Sequence, residues 1–220
     1  MEESATRKRQ SKQRTEKILN AALELFCDQG IEDTSIEQIA SHAGVGPATI
    51  YRYFDNKAEL CIQTGITYWQ KISEKYLLSL MQITYQNALG GERLAHILDI
   101  FVLIFKKESG FLKFLKEFDV FVQKYQISPE RLSEYEACIL NLKPYVTDAL
   151  ELGLKDGSLA FPYSTDEIYF SLTHTMLSLM QKLASDGNIL SSDSYIDFGL
   201  QLQITKELLL KGLTPTHSFH

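Results

Sequence analysis

Apolar residues recur three and four positions apart through nearly every stretch of this chain, and that spacing limits the fold more than any other feature. Ile18, Ala22 and Leu25 form one row and Leu19, Leu23 and Phe26 the next, which predicts a helix over 15–29 stopped by Gly30. Only five prolines and twelve glycines punctuate the sequence, and no segment alternates apolar and polar residues long enough to demand a strand. The reading is all-α, with about nine helices. Three short helices come first, and a long connector follows over 57–82 with Ile62, Ile66, Trp69, Ile72 and Tyr76 on one stripe. Five more are predicted at 94–105, 111–125, 131–155, 165–186 and 192–211. Pro144 should kink the third of these, Ser164 or Thr165 cap the fourth, and Ser192 or Asp193 cap the last. Residues 214–220 read as a frayed end.

The 220 residues suffice to bury a core without metal or disulfide staples. With 45% apolar and 23% charged residues, the composition is that of a soluble globular protein and excludes wholesale disorder. Cys27, Cys61 and Cys138 are odd in number and far apart, which suits a reducing cytoplasm better than a disulfide framework. The N-terminus lacks the apolar stretch of a signal peptide. The longest strongly apolar run, 97–105, contains Asp99 and falls well short of the roughly 20 residues a membrane span requires. A cytoplasmic protein without a membrane partner is expected. There is no G-x-S-x-G, P-loop or dinucleotide glycine motif, and His42, His96, His174, His217 and His220 neither cluster nor show metal spacing. No enzyme activity, metal or cofactor is expected. The formal net charge of −6, taken alone, argues against a nucleic-acid partner, because a duplex is a dense line of phosphates.

Residues 35–54, SIEQIASHAGVGPATIYRYF, point the other way. Ser35 and Gln38 fit a capping box for a short helix, and Ala43-Gly44-Val45-Gly46 reads as a tight turn. Pro47 suits the first turn of the next helix, where its missing N–H costs nothing. Two short helices joined by a glycine-containing turn make a helix-turn-helix, whose second helix enters the major groove. Ile36, Ile39, Ala40 and Val45 are apolar where these helices must pack, and Ile50 and Phe54 step by four on the inward face. That leaves Thr49, Tyr51, Arg52 and Tyr53 spread over the rest of the second helix.

The run from Ile18 to Leu60 resembles the TetR family of bacterial transcription regulators. The resemblance lies in the first helix ending at Gly30, the Thr34-Ser35 start, Ala43-Gly44-Val45, Thr49-x-Tyr51-x-Tyr53-Phe54 and the Asn56-Lys57 step. The rest of the chain agrees only in helix number and length. The resemblance implies a homodimer that binds double-stranded operator DNA and is released by a small-molecule effector. It implies a helix-turn-helix DNA-binding domain with a basic arm over 1–56 and an effector-binding and dimerisation domain over 57–213. It also assigns roles: Pro47, Ala48 and Thr49 to base edges, and Tyr51, Tyr53 and Lys57 to phosphates. Arg52 is suited to a phosphate or to the O6/N7 edge of a guanine, and Ser35 to capping its helix while facing a phosphate. Gly46 and Pro47 depart from the usual polar cap, which shifts direct readout toward backbone and methyl contacts.

Charge is distributed accordingly. Arg7, Lys8, Arg9, Lys12, Arg14 and Lys17 face only Glu16 among 7–17, an arm suited to following the DNA backbone or entering a minor groove. The alternative is a solvated tail. Residues 1–60 nevertheless hold 8 basic and 10 acidic side chains, so the positive charge is local to the arm, Arg52 and Lys57.

In the C-terminal part, Phe111, Phe114, Phe118, Phe121 and Tyr125 share one helix stripe, with Phe101 and Phe105 on the neighbouring helix. Such a stripe is either ordinary core or one wall of an apolar effector cavity. Trp69 on the connector, and Cys138, Tyr169 and His174, are further candidates for that cavity. An aromatic wall favours a lipophilic or aromatic effector. Leu172, Met176, Leu179 and Met180, with Leu200, Ile204 and Leu208, put apolar residues on more than one face of the last two helices. Two apolar faces suit a four-helix bundle across a two-fold axis. The expected function is a ligand-released repressor. The alternative is an effector-independent regulator or activator whose C-terminal part is a dimer scaffold.

Overall fold

The computed structural model describes residues 2–186 and 189–215, with the backbone alone for 2–5, 186 and 194. His217, His220 and most of the expected frayed end lie outside the described residues. Among the described residues there are eleven α-helices and no strand. They are α1 Glu2–Gln29, α2 Ile36–Ala43, α3 Pro47–Tyr53, α4 Lys57–Tyr76, α5 Ile83–Gln86 and α6 Gly90–Lys107. Then follow α7 Ser109–Lys124, α8 Ser133–Leu140, α9 Lys143–Asp156, α10 Thr165–Asp186 and α11 Phe198–Leu213. No helix among the described residues is long and apolar enough to cross a membrane.

The count exceeds the expected nine for two local reasons. The connector ends at Tyr76, not near residue 82, because Leu77–Met81 tightens into a 3-10 turn. The Ser79 hydroxyl donates to the Tyr76 carbonyl at 3.1 Å there, and α5 follows. The helix expected over 131–155 is two, α8 and α9. Pro144 stands in the first turn of α9, where a residue without an N–H starts a helix at no cost, and so marks a break, not a kink. The last helix starts later than expected. Asp197 caps α11 by accepting the Leu200 N–H at 2.9 Å, while Ser192 and Asp193 belong to a separate 3-10 turn, Ser191–Tyr195. At the other end, α1 begins at Glu2, so the basic stretch is helical and continuous with the first helix of the motif.

The chain divides into two compact units. The first comprises the residues through Lys71 together with Lys113–Ile139. Its core joins Ile18, Ala22 and Phe26 of α1 to Ile39 and Ala40 of α2, Ile50 of α3, and Leu60 and Cys61 of α4, all buried. Phe114 sits at its centre, with ring centroids 6.3 Å from Phe26, 5.8 Å from Tyr68 and 5.7 Å from Phe118. Phe118 in turn lies 4.6 Å from Tyr135 of α8.

The second unit comprises Ile72–Leu112 and the residues from Leu140 on. Leu94, Ile97, Leu98 and Phe101 of α6 are buried with Leu150 of α9, Met176 and Met180 of α10 and Leu202 of α11. Lys206 is buried on α11, and its ammonium donates to Asp99 Oδ1 on α6 at 2.6 Å, which keeps the charge paired.

Candidate nucleic-acid interface

The motif is assembled by short-range capping. The Gln38 N–H donates to Ser35 Oγ at 3.1 Å, and the Ser35 N–H donates to Gln38 Oε1 at 2.7 Å, so two N–H groups at the start of α2 are satisfied reciprocally. At the other end Gly44 takes φ +62, a left-handed conformation that a side chain would disfavour. The Val45 N–H then closes back on the Ala40 carbonyl at 2.9 Å. α3 starts at Pro47 with Gly46 as its cap, and no side chain bonds its first N–H groups.

Burial sorts the residues of α3. Ile50 and Phe54 are buried, as the step of four requires, while Pro47, Ala48, Tyr51 and Arg52 are exposed and Thr49 and Tyr53 half-buried. Tyr51 keeps 52% of its surface in solvent. The Arg52 guanidinium lies 5.4 Å from the centre of the Tyr53 ring. The Tyr53 hydroxyl accepts from Ser11 Oγ on α1 at 3.4 Å. That hydrogen bond, with the neighbouring Arg52 and Arg14 cations, holds the Tyr53 phenol below the usual tyrosine range. Ser35 is half-buried at its cap, and Arg7, Lys8 and Arg9 are exposed on α1. Lys57 is half-buried, and its ammonium donates to the Glu32 carbonyl in the α1–α2 turn at 3.1 Å.

Several residues that hold this surface in place carry no sequence signal. Glu117 of α7 accepts the Ile31 N–H at 2.7 Å, directly after α1 ends. Lys124 of α7 pairs with Glu32 at 2.5 Å, and the Tyr125 hydroxyl donates to the same carboxylate at 3.3 Å. The Lys124 hydrogen bond holds the Glu32 carboxyl below the usual carboxylate range. His42 pairs with Glu24 at 2.7 Å, joining α2 to α1. These partners are distant in sequence, and each is an unremarkable charged residue on a helix surface, so only the packed structure brings them together.

The residues expected to line an effector cavity separate between the two units. Trp69, Phe114, Phe118, Phe121, Tyr125 and Cys138 fall in the first, and Phe101, Phe105, Tyr169 and His174 in the second. In the first unit Phe114 and Phe118 are core, in contact with α1, α4 and α8, and Phe121 is buried against Tyr125. Tyr125 itself is 53% exposed, Trp69 and Cys138 are half-buried, and His174 is exposed. Phe101 and Tyr169 are buried in the second unit, and Phe105 is half-buried. Burial pushes all three thiols up, that of Cys61 to about 12. No group of His, Cys, Asp and Glu among the described residues is placed to hold a metal.

The expected dimer residues also divide. Leu172, Met176 and Met180 are buried within the second unit and Leu179 is half-buried, because this face of α10 is taken up by the chain's own core. Leu200, Ile204 and Leu208 of α11 stay 53%, 42% and 65% exposed, an apolar row on one face.

Residues 18–64 match the family model for bacterial regulatory proteins of the tetR family. An HTH-type transcriptional regulator of Staphylococcus aureus is 30% identical over 76 residues, which is 31% of this chain and 41% of that protein. The match thus spans less than half of the relative. The fold extends further. A transcriptional regulator FadR from Bacillus subtilis, solved in complex with stearoyl-CoA, superposes with a TM-score of 0.65 at 19% identity over 89% of this chain and 97% of that one. A protein of Saccharomonospora viridis, crystallised with choline, superposes with a TM-score of 0.69 at 18% identity over 93% and 99% of the two chains. Residues 18–64 thus match the tetR-family model in sequence, and the helical fold is similar to those of these regulators along most of its length.

Proposed function

We propose that the protein is a homodimeric, sequence-specific DNA-binding regulator that represses transcription from a palindromic operator and is released by a small lipophilic or aromatic effector. The carrying observation is the outer face of α3: Pro47, Ala48, Tyr51 and Arg52 stand in solvent while Ile50 and Phe54 anchor the helix from behind. Pro47, Ala48 and Thr49 would meet base edges at the helix start. Tyr51, Tyr53, Lys57, Ser35 and the Arg7, Lys8 and Arg9 charges would meet phosphates. The exposed row on α11 supplies a surface for a second copy, which would present two recognition helices to major grooves about 34–36 Å apart. Effector binding would lower operator affinity through its differential affinity for two conformers. The FadR of the same fold, solved with stearoyl-CoA, makes acyl-CoA thioesters the first class to screen.

The packing of the first unit favours a second reading. Phe114 and Phe118 are buried ring on ring with Phe26, Tyr68 and Tyr135, a packing that suits the core of an effector-independent regulator. Operator selection with the purified protein tests the DNA-binding reading, and the absence of any salt-sensitive, sequence-preferring complex refutes it. A release screen with acyl-CoA thioesters and aromatic compounds on the selected operator separates the two readings. Release supports the ligand sensor, and constant affinity across the screen supports the scaffold.

A further inference from the structure

Lys17, the last cation of the basic stretch, reaches toward α2. Its ammonium lies 3.3 Å from the point where a Cβ on Gly44 would stand, at the C-terminal end of that helix. Lys17, Ala21 and Glu24 are spaced four and three residues apart, so they share one face of α1, and Ala21 between the two charges is buried. The other end of this row also meets α2, where His42 Nε2 donates to Glu24 Oε2 at 2.7 Å. His42 belongs to the last turn of α2 and Gly44 is its cap. A cation thus stands at the negative end of the α2 dipole, and a carboxylate holds the side chain beside it. Next to them the Val45 N–H donates to the Ala40 carbonyl at 2.9 Å, the bond that closes the turn from which α3 departs.

We infer that Lys17 and Glu24 are positioning residues for the recognition helix: from one face of α1 they clamp the last turn of α2 and so set the direction in which α3 leaves it. The consequence for operator binding rests on the DNA-binding reading above. Lys17 then differs in kind from Arg7, Lys8 and Arg9, because its charge acts within the protein, on a helix terminus, and makes no phosphate contact. The two members of the clamp carry opposite charge, so removing them changes the field at the DNA in opposite senses. Acting through α3, both removals weaken the operator complex. Acting through net charge alone, one would weaken it and the other strengthen it.

Hydrogen exchange at the Val45 amide tests this, together with fluorescence anisotropy on the selected operator and a random-sequence duplex. Lys17→Gln and Glu24→Ala should each speed Val45 exchange and lower operator affinity by about 2–5-fold, the range of an exposed charge at a helix terminus or an exposed ion pair, with a smaller loss on the random duplex. Lys17→Arg should restore wild-type behaviour. The slope of log K against log salt should keep its wild-type value in Lys17→Gln, where the loss of a phosphate contact would lower it by about 0.9. Far-UV circular dichroism melts verify that each variant is folded, so that a changed operator preference does not come from lost stability. A slope lowered by about 0.9 in Lys17→Gln, or tighter operator binding by Glu24→Ala, overturns the proposal, as do wild-type exchange and affinity in both variants. A wild-type protein that binds neither duplex overturns the DNA-binding reading, and the Val45 amide then decides the clamp alone: faster exchange in both variants supports it, and unchanged exchange overturns it.

Discussion

Replacing Glu117 tests whether α7 holds the turn that aims the helix-turn-helix. Its carboxylate accepts the Ile31 N–H at 2.7 Å, and Ile31 is 1% exposed, so no solvent stands ready to take that N–H over. Leaving a buried donor unsatisfied costs about 1–3 kcal/mol. Glu117 reaches the turn from an exposed position on α7, which allows partial relaxation and places Glu117→Ala in the lower part of that range, about 1–2 kcal/mol. Glu117→Gln keeps an acceptor but loses the charge, and charge-assisted bonds are roughly twice as strong as neutral ones, so it should cost about half as much. For a chain of this size each kcal/mol moves the melting temperature by about 2–4 °C. Urea unfolding of the two variants should rank Ala below Gln below wild type. Hydrogen exchange at the Ile31 amide, which reads the bond directly, should be faster by about 5–30-fold in Glu117→Ala. If that amide exchanges at the wild-type rate, or if Gln destabilises as much as Ala, the carboxylate is not what holds the turn.

Three further outcomes are expected. A Cβ on Gly90 would lie 2.0 Å from the Gly153 nitrogen and 2.5 Å from the Ala149 carbonyl oxygen, both backbone atoms of α9. Gly90→Ala must therefore push two helices apart and should cost about 3 kcal/mol or more, and a melt within 2 °C of wild type, on the order of 0.5–1 kcal/mol, refutes the close crossing. Glu32 has its carboxyl held low by Lys124, so the pair's contribution is present above the unfolded carboxyl value near ~4.3 and disappears as pH falls through the lower folded value. The gap in melting temperature between wild type and Lys124→Ala should stay constant down to about pH 5 and close in more acid solution, and a gap that persists at about pH 2 contradicts this. For the proposed homodimer, Ile204→Glu with Leu208→Glu should give a helical monomer in sedimentation velocity, since both side chains are exposed in the single chain, and a dimer that persists in the variant excludes this face as the interface.

The parts of this protein that were legible in its sequence are those with local causes. Ser35 and Gln38 are three residues apart and close their own box, Gly44 is the residue a left-handed turn selects, and the step from Ile50 to Phe54 orients α3 without reference to any other helix. The break between α8 and α9 is not legible along the chain because Pro144 is compatible with both a kink and a start. Only the preceding residues, which leave the helix, decide between them. The helical arm is hidden for a related reason: six basic residues have no apolar rhythm to reveal a helix, which is held here by continuity with the buried part of α1 and by Ser11 on Tyr53.

The aromatic stripe of α7 shows the limit most clearly. Spacing places Phe114, Phe118, Phe121 and Tyr125 on one face of a helix, and that much the sequence determined alone. What covers the face was decided by the tertiary structure: Phe26, Tyr68 and Tyr135 fill it at Phe114 and Phe118, and solvent takes it at Tyr125. The same division governs α10 and α11, where periodicity marks apolar rows and packing chooses which row stays exposed. Hydrogen-bonded caps and helical periodicity act within a few residues and can be read along the chain. Burial is a property of surfaces brought together from distant segments, and it exists only once they have met.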